Sequence, residues 1–382
     1  MNHTTTKVLS SCKQGSGQTW PISASGIPNG WPQSLDGPLA WDRTTSTGER
    51  DFTYELSNVE ITEVETALKH FKDLRLYGNE VNCCSFPLPT LSKKLHYFAL
   101  ELHEGRGFFA LRGLNPARYS VEDNMLIFLG VSSYIGEKRG KQDSDGNMIG
   151  HIQEAKDSKV PQRDRPSPNS NLAVKFHTDM FCDIVAMQTR SCAAKGGQHI
   201  IASAWNVYND LVATRPDLIS LLASTSWGFD VRGRLAEPRI RPLLYYHEGH
   251  MILNFSRYPL EGCGDGTRAT DLPTMSELQR ELLDLVESIA ERHQINLQMQ
   301  PGDLTFINNF AMLHSRESFI DDTFNSRYLV RLWLKNDRLA WQLPHPLRTG
   351  NRTVFESNDV EEKWNIVAVP KLRFPIHERL GP

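Results

Sequence analysis

The stretch Phe176-His177-Thr178-Asp179 constrains the fold of this chain most, because it places an imidazole and a carboxylate two residues apart at the end of a predicted strand. Residues at i and i+2 of an extended strand project from the same face. His177 and Asp179 can therefore converge on one ion, while Thr178 points to the other side. In a chain with 13 histidines a His-x-Asp pair arises readily by chance, so the metal hypothesis needs a third ligand.

The composition of the chain is that of a globular protein and argues against a nucleic-acid-binding or membrane-spanning one. The 382 residues are 39% hydrophobic and 23% charged, which is a globular composition in a chain long enough for a large core. The net charge is only −3 and no Lys/Arg block is present, so nucleic acid is not an expected partner. The sequence contains neither an apolar leader segment nor an apolar run of about 18 residues, so we expect neither secretion by that route nor a membrane span.

The cysteines indicate the compartment. Six cysteines lie at positions 12, 83, 84, 182, 192 and 263, without zinc-site spacing and with an adjacent pair that suits a disulfide framework poorly. Reduced thiols in the cytoplasm are the simpler interpretation. The oligomeric state stays open, with a homodimer as one option.

Hydrophobic periodicity predicts both helices and strands. The predicted helices cover residues 62–72, 90–104, 121–134, 204–211 and 275–293. The predicted strands include residues 108–111, 184–189, 199–203, 241–246, 251–255, 295–299, 304–307 and 327–334. The segment His247-Glu248-Gly249-His250 is predicted to be a hairpin turn, and no H-E-x-x-H helix surrounds its histidines to favour a metal site.

The chain divides into three predicted parts. Residues 1–55 form an extended N-terminal arm anchored by Trp20, Trp31 and Trp41, residues 56–335 form the domain, and residues 336–382 form a C-terminal extension that packs on it. Within the domain, residues 136–170 are rich in Gly, Lys, Asp, Ser and Pro and predict a long loop. Long loops in compact domains are typically lids or disordered inserts, and we favour a lid.

The predicted strand at 327–334 carries two arginines four residues apart. Even spacing places Arg327, Leu329, Arg331 and Trp333 on one face. Two cations among apolar neighbours are costly to bury without partners, so both should meet anionic groups. Arg331 has an internal alternative in Asp321 or Asp322.

His314 supplies the missing third ligand. Together with His177 and Asp179 it gives two imidazoles and one carboxylate, the set that leaves positions open on Fe(II) for a co-substrate and oxygen. A dicarboxylate bound to such an iron at one end needs a counter-charge at the other. A planar guanidinium downstream of His314 offers two parallel hydrogen bonds for that purpose.

In these residues the chain resembles the TauD/TfdA-like branch of the Fe(II)- and 2-oxoglutarate-dependent dioxygenases, including the clavaminate synthase-like enzymes. The resemblance runs from about Gly107 to Leu334, and the motifs that carry it are Phe108-Phe109-Ala110-Leu111-Arg112-Gly113, Phe176-His177-Thr178-Asp179, Gly196-Gly197, Pro301-Gly302-Asp303, His314-Ser315-Arg316 and Arg327-Tyr328-Leu329-Val330-Arg331. It implies an α+β fold: a double-stranded β-helix (jelly-roll, cupin-like) core with flanking helices in a single elaborated domain.

The resemblance also implies roles for particular residues. Iron would be held by His177, Asp179 and His314, and Arg327 would pair with the distal carboxylate of 2-oxoglutarate, with O2 as the second co-substrate. Arg331 matches a position that meets the substrate carboxylate in clavaminate synthase-like members.

The sequence leaves alternatives open for a further contact to 2-oxoglutarate and for contacts to the substrate. Many family members have a threonine two residues after the Gly-Gly pair that helps to hold 2-oxoglutarate, whereas this chain has His199. Either His199 binds the co-substrate or that contact is lost. The segment from Trp341 to Pro346 follows the last core strand, and we expect its Leu343 and His345 to bind substrate, with ordinary surface packing as the alternative.

The expected function is hydrogen abstraction from an unactivated C–H bond of a small carboxylate or amino-acid-like metabolite. Hydroxylation, desaturation and oxidative cyclisation all remain open as outcomes. The polar arm and the tryptophan-bearing extension resemble fungal members of the family, which suggests secondary metabolism. Two alternatives are an iron oxidase that uses no 2-oxoglutarate and a catalytically silent jelly-roll binding protein.

Overall fold

The computed structural model describes residues 12–14, 18–20, 26–44, 48–231, 239–262, 268–370 and 372–373. The strands are β1 Cys12–Gln14, β2 Gln18–Trp20, β3 Thr53–Glu55, β4 Phe108–Arg112, β5 Lys138–Gly140, β6 Gly150–Gln153, β7 Val174–His177, β8 Ile184–Ser191, β9 Lys195–Gly196, β10 His199–Ser203, β11 Trp227–Gly228, β12 Ile240–Arg241, β13 Leu244–His247, β14 His250–Leu253, β15 Ile295–Leu297, β16 Leu304–Asn308, β17 Met312–Arg316, β18 Phe319–Ile320 and β19 Tyr328–Lys335. The helices are α1 Asn58–Asp73, α2 Leu91–His103, α3 Val121–Ser132, α4 Ala204–Thr214, α5 Ile219–Leu222, α6 Arg257–Glu261, α7 Glu277–His293 and α8 His345–Phe355.

Two sheets form the centre of the fold. The larger has the strand order β3-β4-β16-β8-β19-β5, and β6 also pairs with β19. The smaller has the order β15-β10-β17-β7. The pairs within both sheets are antiparallel except for the parallel pair of β3 and β4. This arrangement agrees with the predicted α+β fold.

The larger sheet separates two apolar clusters. Along β19, Val330, Leu332 and Leu334 pack with α1, α2 and α3 in one cluster, whereas Leu329 and Trp333 belong to the cluster inside the sheets. This alternation follows from the two-residue period of a strand. It places Arg331 on the inward face between Leu329 and Trp333, as the sequence predicted.

Capping residues explain where the helices begin. The α1 helix starts before the predicted residue 62 because Ser57 and Glu60 form a capping box, in which the Glu60 side chain accepts from the Ser57 amide at 2.8 Å. Ser276 and Gln279 cap α7 in the same way. The α7 helix then packs against β7 and β10 of the smaller sheet.

Residues 136–170 are less irregular than the sequence suggested. They contain β5 and β6, and both strands pair with β19. The composition hid them because each strand is short and lacks the alternation that marks a half-buried strand. Residues 154–173 are the irregular part of this region, with two short 3-10 turns at Gln162–Asp164 and Ser167–Asn169.

The terminal parts pack on the domain where they are described. Trp31 and Trp41 are both 6% exposed and belong to the inner apolar cluster, whereas the predicted anchor Trp20 has a side chain outside the described residues. After α8, Lys363 forms a parallel bridge with Asn147, with backbone hydrogen bonds on both sides of it. Over the described residues, no helix is long and apolar enough to cross a membrane.

The predicted hairpin is formed by β13 and β14. Its turn residues Glu248 and Gly249 both adopt positive φ, at 48° and 81°. The His250 ring stacks on Trp341 at 4.3 Å.

Candidate active site

The three predicted ligand residues lie together on the smaller sheet. His177 ends β7, Asp179 follows it by two residues, and His314 is the central residue of β17, directly opposite His177. One ligand atom from each residue lies within 4.8 Å of the other two, and all three residues are buried. Among the described residues no other such group was found. The sequence therefore identified a set of side chains that the fold does bring together.

The two oxygens of the Asp179 carboxylate have different surroundings. Oδ1 lies 3.9 Å from Nε2 of His177 and 3.7 Å from Nε2 of His314, and it has no hydrogen-bond partner among the described residues. Oδ2 accepts from the indole Nε1 of Trp333 at 2.5 Å and lies 3.1 Å from Nη1 of Arg331. A buried oxygen without a partner is costly, and a cation held between Oδ1 and the two imidazoles would satisfy it.

The protonation states suit a metal. Burial, together with the neighbouring His314, lowers the pKa of His177 to about 3. Burial alone would raise the pKa of Asp179, but the charge of Arg331 and the two imidazoles outweigh it and hold that pKa below its usual value. At neutral pH His177 therefore keeps a free lone pair and Asp179 keeps its negative charge, as metal ligands require.

Neighbouring residues fix the loop that carries Asp179. The side chain of Asn309 accepts from the Asp179 amide at 2.7 Å and donates to the carbonyls of Asp179 and Cys182, both at 2.7 Å. The Phe255 amide donates to the hydroxyl of Thr178 at 2.9 Å. On the ligand itself, Nδ1 of His177 lies 2.9 Å from the Lys175 carbonyl, which favours the tautomer with its lone pair on Nε2. Sequence reasoning missed Asn309, because an isolated asparagine after a strand carries no distinguishing pattern.

Arg327 is a buried cation without an acidic partner. It is 4% exposed, its Nε donates to the Gly197 carbonyl at 3.0 Å, and its Nη1 has no hydrogen-bond partner among the described residues. No described carboxylate lies within ion-pair distance of its guanidinium. Burial, and next the charge of Arg316, lower the pKa of Arg327 to about 9. Such a group favours an anion from outside the chain.

Gly197 lets Arg327 approach the backbone. Its φ is +76°, and a Cβ added there would lie 2.8 Å from Cδ of Arg327. A side chain at this position would therefore be strained and would also displace the arginine.

His199 lies beside the ligand residues, at the centre of the smaller sheet. It is 3% exposed, and both of its ring nitrogens lack hydrogen-bond partners among the described residues. Its ring centroid lies 5.9 Å from that of His314. Burial, and next the neighbouring His314, lower its pKa well below the usual value. His199 is therefore a neutral imidazole with hydrogen-bonding capacity that the described protein does not use.

Arg331 differs from the sequence-based alternative. It does not pair with Asp321 or Asp322: besides the contact with Asp179, its Nε donates to Oε1 of Gln142 at 2.9 Å. Asp321 instead pairs with Lys156, and Asp322 accepts from nearby backbone amides. The third guanidinium nitrogen of Arg331, Nη2, has no partner among the described residues.

A cavity of about 230 Å³ adjoins the ligand residues. On the side of the ligands it is lined by Met180, Phe181, Arg331 and Trp333. Across from them lie β6, the turn at residues 166–169, and residues Val354, Asn365, Ala368 and Val369 from the C-terminal extension. The cavity can therefore admit a small molecule next to the ligand set.

The two residues expected from the extension lie elsewhere. Leu343 is 5% exposed and packs in the inner apolar cluster, and His345 is exposed in the first turn of α8. Neither lines the cavity. The extension reaches the cavity through Val354, in the last turn of α8, and through residues after the helix, which the sequence did not reveal.

Comparison with known proteins was consistent with this geometry. Residues 70–333 match the family described as "Taurine catabolism dioxygenase TauD, TfdA family". The chain is 34% identical over 339 residues to the taurine hydroxylase-like protein SAT17 of Stachybotrys chartarum, covering 86% of this chain and 87% of that protein. It is 26% identical over 327 residues to FR-33289 synthase of Streptomyces rubellomurinus, covering 82% and 94% of the two chains.

Solved structures show the same fold. An asparagine oxygenase in complex with Fe(II), 3-hydroxyasparagine and succinate matches with a TM-score of 0.59 at 14% identity, covering 75% of this chain and 95% of that one. The non-heme iron oxygenase OrfP in complex with Fe and alpha-ketoglutaric acid matches with a TM-score of 0.53 at 17% identity, covering 75% and 94%. The predicted α+β fold with a double-stranded β-helix core is confirmed.

Proposed function

The chain belongs to the TauD/TfdA family of Fe(II)- and 2-oxoglutarate-dependent oxygenases, and from that premise we propose that it oxidises an unactivated C–H bond of a small carboxylic or amino-acid-like metabolite. The observation that carries the proposal is the buried convergence of His177, Asp179 and His314, with Oδ1 of Asp179 left without a partner. Two imidazoles and one carboxylate with open positions suit Fe(II).

These three residues would hold the iron. A bound iron would supply the oxidative chemistry of the family, in which 2-oxoglutarate and O2 give succinate and carbon dioxide and the second oxygen atom serves to oxidise the substrate. The chain contributes placement of the reactants and exclusion of water. The burial of all three ligands supports the second role.

Arg327 would bind the distal carboxylate of 2-oxoglutarate. The support is its burial without an acidic partner and its free Nη1. A guanidinium and a carboxylate form two parallel hydrogen bonds, and in a desolvated site this pairing is strong. The unpartnered ring nitrogens of His199 would give the co-substrate a further contact in place of the threonine found in relatives.

Arg331 would bind the anionic group of the substrate. Its Nη2 is unpartnered among the described residues, and the side chain lines the cavity beside the ligand set. Two structural neighbours bind amino acids, since OrfP was solved with L-Arg and the asparagine oxygenase with 3-hydroxyasparagine. A sulfonate such as taurine has a related charge, so taurine belongs in any substrate test.

We also propose a role in secondary metabolism and a location in the cytoplasm. A secondary-metabolic role is supported by the relative named as a synthase. Work in the cytoplasm is supported by the free cysteines at 83, 84, 182 and 192. An oxidase without 2-oxoglutarate would have no use for Arg327, and a silent binding protein would have no need of all three ligands.

Anaerobic spectroscopy tests the proposal. Fe(II) and then 2-oxoglutarate are added to the purified chain, and we expect the weak visible charge-transfer band of an iron-bound 2-oxo acid. His177→Ala is the control, and it should abolish the band while the protein stays folded. Absence of the band in the folded wild-type chain would exclude the proposed function.

A second experiment identifies the substrate class. A panel of amino acids, carboxylic acids and taurine is tested, and each compound is scored by the succinate release that depends on it.

A further inference from the structure

Trp333 is in contact with both the candidate metal site and the cavity. It lies on the inward face of β19 and is 4% exposed. Its indole Nε1 donates to Oδ2 of Asp179 at 2.5 Å, while the residue also lines the cavity. The guanidinium carbon of Arg331 lies 5.1 Å from its ring centroid. A tryptophan in the inner apolar cluster is ordinarily explained by packing, but this one also makes a polar contact with a candidate ligand.

The contact is directed at one oxygen of the carboxylate. Oδ2 of Asp179 accepts from Trp333 and is ion-paired with Arg331, whereas Oδ1 has no hydrogen-bond partner among the described residues. Oδ1 is the oxygen that faces the Nε2 atoms of His177 and His314. The asymmetry therefore separates an oxygen held by the protein from an oxygen left for the metal.

We propose that Trp333 is a positioning residue: its indole N–H holds Oδ2 of Asp179, so that Oδ1 alone is presented to the metal. The proposal rests on the function proposed above. The terminal torsion of an aspartate is broad and roughly two-fold, so an unrestrained carboxylate rotates easily. A rotated carboxylate would present both oxygens and occupy a position that the co-substrates need.

An indole suits this role better than the neighbouring guanidinium. The indole N–H is only a donor, and it is fixed by a ring that packs in the inner cluster. Arg331 divides its guanidinium between two partners, because Nη1 is ion-paired with Asp179 and Nε donates to Gln142. If Arg331 moves towards a substrate anion, Trp333 still holds Oδ2. Partners that orient a metal ligand typically change metal affinity by about 10- to 100-fold.

The test measures metal affinity rather than turnover. Trp333→Phe removes the N–H and keeps most of the aromatic volume. The matched control is Trp341→Phe, because Trp341 is also buried, at 8% exposed, and its indole donates to the backbone carbonyl of His103 at 3.2 Å. Co(II) is titrated anaerobically into each chain and followed by its visible ligand-field bands. We expect Trp333→Phe to weaken Co(II) binding by about 10- to 100-fold and shift the bands, with Trp341→Phe close to wild type.

A second variant separates the hydrogen bond from packing. Benzothienylalanine at position 333 keeps the shape of tryptophan and lacks only the N–H, so it also applies if Trp333→Phe fails to fold. We expect the same loss of Co(II) affinity from it. Wild-type affinity and bands in this variant would overturn the proposal, even if Trp333→Phe binds weakly, because packing would then explain the loss. If the wild-type chain itself bound no Co(II), the proposed function would fail together with this inference, so the two failures are distinguishable.

Discussion

Arg327 and Arg331 are four residues apart and similarly buried, at 4% and 7% exposed, but their surroundings are opposite. Arg331 is paired with the Asp179 carboxylate at 3.1 Å. Arg327 donates to a backbone carbonyl, and no described carboxylate reaches its guanidinium. The difference indicates that Arg331 already balances the charge of Asp179 and has only Nη2 left for a substrate anion, whereas Arg327 has no internal carboxylate and is left for an incoming one.

The same contrast occurs between two aspartates on the loop that leads from β7 to β8. Asp179 has Arg331 beside it, and its pKa is lowered. Asp183 is 4% exposed, its Oδ1 has no partner among the described residues, and burial raises its pKa to about 6. A buried carboxylate with an ion-paired arginine and one with only a hydrogen bond from Asn351 should therefore respond differently to substitution, and that difference can be measured.

The largest effect is expected from Asp179→Ala. It should abolish iron binding and turnover, as His177→Ala and His314→Ala also should. Unlike those two, it leaves the charge of Arg331 buried without its partner, which we expect to lower the free energy of unfolding of the metal-free protein by about 3 kcal/mol. Iron content, succinate release and urea unfolding of the three metal-free variants are the measurements. Equal stability of Asp179→Ala and His177→Ala would show that the pair with Arg331 is not important for folding.

Arg327→Ala comes next. We expect the apparent requirement for 2-oxoglutarate to rise about 100-fold, because losing a desolvated bidentate charge pair costs about 3 kcal/mol. The metal-free protein should not lose stability, since a lone buried charge is removed. Arg327→Lys should restore only part of the affinity. An unchanged 2-oxoglutarate dependence would assign the role to another cation, with Arg316 tested first.

Arg331→Ala should affect the substrate more than the co-substrate. A hydrogen bond to a charged group contributes about 1.5–3 kcal/mol, which corresponds to a loss of about 10- to 100-fold in kcat/KM for the substrate. The 2-oxoglutarate requirement should stay near that of the wild type, and succinate formation without substrate oxidation should remain measurable. Equal reaction of the free acid and its ester in the wild-type enzyme would contradict the role of Arg331.

The smallest effect on catalysis is expected from Asp183→Asn, which tests the contrast between the aspartates. Because the folded pKa of about 6 is above the unfolded value, the protonated group stabilises the fold at low pH, and that stability is lost as pH rises from about 4 to 6. Asp183→Asn should remove this loss and make the protein more stable at pH 7 by about 2 kcal/mol. Urea unfolding of both proteins at pH 4 and pH 7 measures it. A difference that is independent of pH would exclude the titration of Asp183 as the cause.

The sequence predicted the arrangement of side chains where that arrangement follows from their spacing along one strand. Even spacing in the predicted strand placed Leu329 and Arg331 on one face, as found in β19, whereas Asp179 lies in the loop after β7 and its approach to His177 depends on the path of that loop. The same period placed Trp333 on the face of the arginines. His314 was identified only because its position relative to the arginines matched a known pattern.

Contacts between distant segments were not predictable. The hydrogen bond from Trp333 to Asp179 joins residues 154 positions apart, and the one from Arg331 to Gln142 spans 189. Both depend on the register of β19 against its neighbours, which no local pattern specifies. Leu343 was chosen for its nearness in sequence to the last core strand, but it packs in the inner apolar cluster, and the chain reaches the cavity only from Val354, near the end of α8, onwards.

The bridge between Asn147 and Lys363 has a consequence for the shape of the cavity. It fastens the segment that carries Ala368 and Val369 to the edge of the cavity, far along the chain from the residues that would hold iron and 2-oxoglutarate. Substitutions at Ala368 and Val369 can therefore change the shape of the cavity without altering His177, Asp179, His314 or Arg327.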